Sequence, residues 1–226
     1  IEHPIKAPIV IEKHDADTGT TEPLNGLYSM DGAVYSIFSD QALTTLVDSV
    51  IISGGSGKSK NLPLGTYWVQ ETTAPAAYAK DDAIYSVVID AKSTPSTLKV
   101  ISTDKPKKGS ISIEKHDADT GTTEPLNGLY SMDGTVYTIY SDSELKNAVQ
   151  SLTIANGVAS TGNVLPLGNY WIQETTAASS YYKDDTIYTA TITASSVDTV
   201  VKIVSVDKPK KGAISIEKHD SLTGTT

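Results

Sequence analysis

The chain has 226 residues, 38% of them hydrophobic, enough for one large domain or two of ordinary size with packed cores. A net charge of -9 with no basic stripe excludes nucleic acid and anionic membrane surfaces as partners, the KPKK runs being too short to matter. Without cysteine there are neither disulfides nor thiolate metal sites, and no apolar run in this segment is long enough for membrane insertion.

Residues 1–8 (IEHPIKAP) align with TDKPKKGS at 103–110 and read as the tail of an upstream hinge. The stretch Ile11-Glu12-Lys13-His14-Asp15 follows, and it returns as Ile113 to Asp117 and Ile216 to Asp220. As a strand it places Ile9, Ile11 and Lys13 on one face and Val10, Glu12 and His14 on the other. A lysine thus closes an apolar stripe, either snorkelling past the rim or meeting acids on the same inner face. HDADTGTTEPLNGLYSMDG occupies 14–32 and again 116–134, and DKPKKG recurs at 104–109 and 207–212. These repeats divide the chain into the upstream tail at 1–8, modules at 9–106 and 107–209, and the start of a truncated third at 210–226.

One Phe against 12 Tyr, with abundant Thr, Ser and Val, favours strands. Within the first module they are expected near 8–14, 33–38, 66–72, 83–90 and 97–103, between DADTG- and SMDG-type turns. One segment departs from this. Leu43, Leu46, Val47 and Val50 have helical spacing, as do Leu145, Ala148, Val149 and Leu152, with Ser141 and Glu144 in a capping-box pattern. Each module is therefore expected to be an all-β sandwich carrying a short inserted helix.

In TYWVQET, Tyr67, Val69 and Glu71 share a face, matched by Tyr170, Ile172 and Glu174. In LKVISTD, Leu98, Val100, Ser102 and Asp104 share a face, matched by Val201, Ile203, Ser205 and Asp207. Each module thus turns one Lys, one Glu and one Asp inward. Burying an ion costs several kcal/mol, against a domain stability of roughly 5–15 kcal/mol. Two readings answer that cost. One is a structural ion network. The other is chemistry: desolvation favours uncharged amines and carboxyls, and attack of amine on carboxyl with loss of water leaves a neutral isopeptide amide, Glu moving the protons.

These motifs resemble the Cna protein B-type domains of Gram-positive surface proteins. YWVQETTAPAAY (67–78) is similar to that family's Tyr-x-Leu-x-Glu-Thr-x-Ala-Pro-x-Gly-Tyr box, IEKHDADTG to its first strand and IVSVDKPK (203–210) to its last. Ala77 replaces the box Gly, and in the second copy Ala178 replaces Pro and Ser180 replaces Gly. The resemblance covers both modules. It implies two tandem prealbumin-like, inverse-immunoglobulin β-sandwiches with Lys13–Asp104 and Lys115–Asp207 cross-links, and Glu71 and Glu174 as catalytic proton carriers. It also implies the extracellular, wall-anchored surface of a Gram-positive bacterium.

The expected function is a monomeric stalk segment of a surface adhesin, its partners being neighbouring modules of the same chain and an unnamed host-surface ligand. Its chemistry would be a single turnover on itself, without cofactor or metal, rather than enzymatic catalysis. A ligand-binding adhesin module and a pilin subunit domain are the alternatives; no Tyr-Pro-Lys motif for pilin joining is present. Lys218, in the third copy of the strand, is expected to stay a free amine.

Other signals carry less. GGSGKS (54–59) lacks the P-loop glycine, Ile52 standing in its place, and reads as a turn. HDADTG has Gly19 where a calcium loop needs an acid or amide. His14, His116 and His219 face outward beside acids. Trp68 and Trp171 lie on the face opposite the core stripe, where packing beneath the helix or a neighbouring loop is expected ahead of a sugar-stacking platform.

Overall fold

The computed structural model describes residues 5–224, so Ile1–Pro4 of the expected upstream tail lie outside the described residues. The first repeat forms β1 (Lys6–Ala7), β2 (Val10–Asp15), β3 (Val34–Phe38), β4 (Leu46–Ile51), β5 (Ser56–Lys58), β6 (Leu62–Pro63), β7 (Gly65–Thr73), β8 (Tyr78–Ala79), β9 (Ile84–Ile89) and β10 (Lys99–Pro106). The second forms β11 (Ser110–Asp117), β12 (Val136–Tyr140), β13 (Ala148–Thr153), β14 (Val158–Ser160), β15 (Gly168–Thr176), β16 (Ile187–Ile192) and β17 (Val200–Asp207). By packing, one compact unit runs to Ile111 and includes Thr161–Asn169 and Ala190–Val201, while the other holds Ser112–Ser160, Tyr170–Thr189 and the residues from Lys202 on.

In the first repeat, one sheet has the order β4-β3-β7-β9 and the other β5-β2-β10-β8. Strict alternation on β2, β7 and β10 turns every second side chain inward. Ile9, Ile11, Tyr35, Ile37, Val69 and Val100 form the centre of the core between the sheets. The first and last long strands, β2 and β10, lie side by side and parallel, with Val10 opposite Lys99, Lys13 opposite Ser102 and Asp15 opposite Asp104. The second repeat has the orders β13-β12-β15-β16 and β14-β11-β17.

The expected helix is absent: residues 46–51 and 148–153 are strands β4 and β13, paired antiparallel with β3 and β12. The reason lies in the preceding loop. Both carboxylate oxygens of Asp40 accept N–H bonds from Thr44 and Thr45, and those of Asp142 accept from Glu144, Lys146 and Asn147. That cradle holds Leu43 and Leu145 in the left-handed region, at φ 56° and 57°, which no α-helix continues through. Of the four spaced apolar residues in the second repeat, only Leu152 is buried.

The third copy of the first-strand motif forms no strand. Ile214 and Ile216 are 91% and 87% exposed, so its alternation faces no core, and Lys218 is exposed with it. GGSGKS opens on a turn, with Gly54 and Gly55 at positive φ, and its Ser56–Lys58 form β5. Trp68 and Trp171 stand opposite Phe38 and Tyr140 on the outer face, half-buried without any helix over them.

Candidate functional site

Three strands bring the expected residues of the first module together. Lys13 on β2 follows buried Ile11, Glu71 on β7 follows buried Val69 and Asp104 on β10 follows buried Ser102, each two residues back, and the three are 0%, 1% and 1% exposed. Lys115, Glu174 and Asp207 converge in the same way at 0%, 0% and 1%. Snorkelling is thereby ruled out for both lysines.

Lys13 Nζ donates to Glu71 Oε1 at 2.7 Å and to the Tyr35 hydroxyl at 2.7 Å, and is in ion-pair contact with Asp104 Oδ1. Neither Asp104 oxygen accepts a hydrogen bond of sound geometry. The second module is alike. Lys115 Nζ donates to Glu174 Oε2 at 2.7 Å and to Tyr137 at 2.6 Å, touches Asp207 Oδ1, and neither Asp207 oxygen accepts a directed bond. Burial pushes the Asp104 and Asp207 carboxyls up to about 6, against the opposing pull of their lysines. Two carboxyls around one amine leave a negative excess if all are ionised, which favours a neutral Asp.

Residues not singled out in the sequence complete the site. A register shift between Val34 and Tyr35 sets Tyr35 opposite Glu71, and the same shift sets Tyr137 opposite Glu174. Tyr35 donates to Ser102 Oγ at 2.7 Å, Ser102 donates to Asp81 Oδ2 at 2.8 Å, and the Asp81 N–H donates to Glu71 Oε2 at 2.7 Å. Burial drives the Tyr35 and Tyr137 hydroxyls far above their ordinary pKa, so both remain protonated. The modules differ at the glutamate. Glu71 uses both oxygens, whereas Glu174 Oε2 takes Lys115, the Asp184 N–H at 3.3 Å and the Tyr137 hydroxyl at 3.4 Å while Oε1 has no partner. The signal for Asp81 and Tyr85 was present: KDDAIYS at 80–86 recurs as KDDTIYT at 183–189.

A third buried acid of this module, Asp15, is structural. Its oxygens accept the N–H groups of Asp17, Thr18 and Leu24 and the Tyr78 hydroxyl at 2.7 Å, which fixes the DADTG loop. His14 and His116 sit on the outer face near Glu12 and Glu114. Among the described residues no group of three or more His, Asp or Glu is placed to hold a metal ion.

The SpaA family, described as a prealbumin-like fold domain, matches residues 7–104 and again residues 109–207. The chain belongs to the SpaA prealbumin-like family. Its two SpaA-type modules are similar in fold to the Bacillus anthracis TIE protein, at 23% identity and a TM-score of 0.63. That similarity covers 90% of this chain and 34% of the TIE protein, so the chain spans about a third of its length. A C-terminal fragment of the pilus adhesin SpaC from Lactobacillus rhamnosus GG is similar at 13% identity and a TM-score of 0.48, over 92% of this chain and all of the fragment. GBS52, the minor pilin of Streptococcus agalactiae, is similar at 14% identity and 0.35, covering 93% and 99% of the two chains. No curated protein matches the SpaA-type chain in sequence.

Proposed function

We propose that the chain is a stalk segment of a Gram-positive surface protein whose SpaA-type modules lock themselves with amides, Lys13 to Asp104 and Lys115 to Asp207. The observation that carries this reading is an amine and a carboxyl in contact at 0–1% exposure, the carboxyl oxygens lacking directed hydrogen bonds. A buried ion pair kept for stability gains from hydrogen bonds to its remaining lone pairs, and the Asp104 and Asp207 oxygens have none. The repeated modules and the family support a spacer at the cell surface.

Ammonium plus carboxylate equals amide plus water. Nζ gives up two protons and bonds to Cγ of the aspartate, one Cγ–O bond breaks, and that oxygen leaves as water with both protons. Glu71 Oε1, 2.7 Å from Nζ, takes protons from nitrogen and returns them to the leaving oxygen. A carboxyl pushed up to about 6 is readily protonated, which makes its carbon the better electrophile. Three buried charges are reduced to one carboxyl group that can carry its proton, and the burial cost falls accordingly.

Intact mass tests this directly. The chain should weigh two waters less than its sequence. A mass equal to the sequence would show a buried ion cluster and no bond.

A further inference from the structure

The hydrogen bonds around the amine all run one way. Lys13 Nζ donates to Tyr35, Tyr35 to Ser102, and Ser102 to Asp81 Oδ2. This direction is imposed from the far end. An ionised carboxylate only accepts, and serine and tyrosine each own one hydroxyl proton. With the Ser102 proton committed to Asp81, Ser102 accepts from Tyr35, and Tyr35 is left with nothing but lone pairs to offer the amine.

Asp81 is itself held. Tyr85 donates to Oδ2 at 2.5 Å and the Ala83 N–H to Oδ1 at 2.9 Å. Half-burial raises its pKa, but these bonds and that of Ser102 outweigh it and keep the carboxyl below the ordinary range. Its own N–H occupies Glu71 Oε2, which leaves Oε1 to face Lys13. The second module keeps these directions, Lys115 to Tyr137, Tyr137 to Ser205 at 2.7 Å, Ser205 to Asp184 Oδ2 at 3.3 Å, and Tyr188 to Asp184 at 2.6 Å, and adds two longer bonds that also run away from the amine, Lys115 to Ser205 at 3.3 Å and Tyr137 to Glu174 Oε2 at 3.4 Å.

The direction matters because a neutral amine accepts as readily as it donates. A phenol O–H turned toward Nζ would occupy the lone pair that has to reach the aspartate carbon. We propose that Asp81, and Asp184 in the second module, are positioning residues that orient the hydrogen-bond chain away from the amine and so reserve its lone pair for the cross-link. The proposal rests on the cross-linking reading above. Asp81 touches no reacting atom; it acts through Ser102, Tyr35 and Glu71.

Epistasis separates this from a merely structural role. Asp81→Asn can donate to Ser102, so the chain can reverse and Tyr35 can donate to the amine. Ser102→Ala frees the Tyr35 proton by another route. Chains made by cell-free synthesis would be sampled over time, denatured and digested, and the linked Lys13–Asp104 peptide quantified against the linked Lys115–Asp207 peptide of the same chain. Either variant should slow linking in the first module by about tenfold or more, the factor that one hydrogen bond carries, with the second module unchanged. Adding Tyr35→Phe to either variant removes the obstructing O–H and should return most of the lost rate. A structural defect would instead deepen with the second substitution. Linking of Asp81→Asn at the wild-type rate, or a double variant slower than its single parent, overturns the proposal while the cross-linking reading stands. A wild-type chain with no linked peptide in either module overturns both.

Discussion

The sharpest consequence of the proposed amide is thermodynamic, and Glu71→Gln isolates it. Glutamine keeps the shape of the side chain and leaves Lys13 and Asp104 as a balanced pair, so no uncompensated charge is created. Without a proton carrier the first module should fold but stay unlinked. Lys13 and Asp104 are 91 positions apart. In the chain-entropy treatment, tying such a loop raises stability by about 4.6 kcal/mol, a large share of the roughly 5–15 kcal/mol of an ordinary domain. For a domain of about a hundred residues that corresponds to roughly 20–35 °C in melting temperature. Scanning calorimetry of the variant, with its one-water mass deficit confirmed, should show one transition moved down by that interval. The other, from the second module, should remain in place as an internal reference. An unlinked first module melting within about 5 °C of the linked one, a shift worth roughly 1 kcal/mol, would refute the tether argument even if the mass spectrum showed both bonds in the wild type.

Two further predictions concern force and pH. Pulled by its ends, the wild-type chain should show no module-length unfolding step, because tension entering β2 crosses at Lys13 to Asp104 and bypasses residues 14–103; Lys13→Ala should add a step of about 30 nm, the extended length of that segment. In the unlinked Glu71→Gln module, Asp104 keeps the burial that is the largest cause of its raised pKa. A raised carboxyl binds its proton more tightly folded than unfolded, so its contribution is full below about 3.8 and is lost as pH rises toward about 6. Urea midpoints of the first module should therefore fall across that window relative to the wild type, whose Asp104 would not titrate once linked as proposed; parallel midpoints would refute the assignment.

What could be read from the sequence was the part with a strict period. On β2, β7 and β10, alternation alone put Lys13, Glu71, Asp104 and even Ser102 on inner faces, because one-residue slips would expose the whole core. Residues 43–50 misled because the apolar spacing of an edge strand with one buried valine also fits a helix, and the deciding feature is the side-chain cradle of Asp40. Tyr35 was hidden for a different reason. An inward aromatic reads as core, and the partner of its hydroxyl lies on a strand 67 positions away. Asp81 sits in a charged loop that looks solvated, and only the fold shows its N–H and carboxylate working on two sides of the site.

The parallel pairing of β2 with β10 also sets a timetable. A ribosome making about 5–20 residues per second delivers Asp104 on the order of ten seconds after Lys13. Throughout that interval the amine has no electrophile beside it, since the neighbouring strand does not yet exist. A chain threaded unfolded through a membrane is likewise free of internal bonds and passes as a linear thread. The proposed cross-link can be written only once the final strand has docked, so each amide would be a permanent record that its module finished folding.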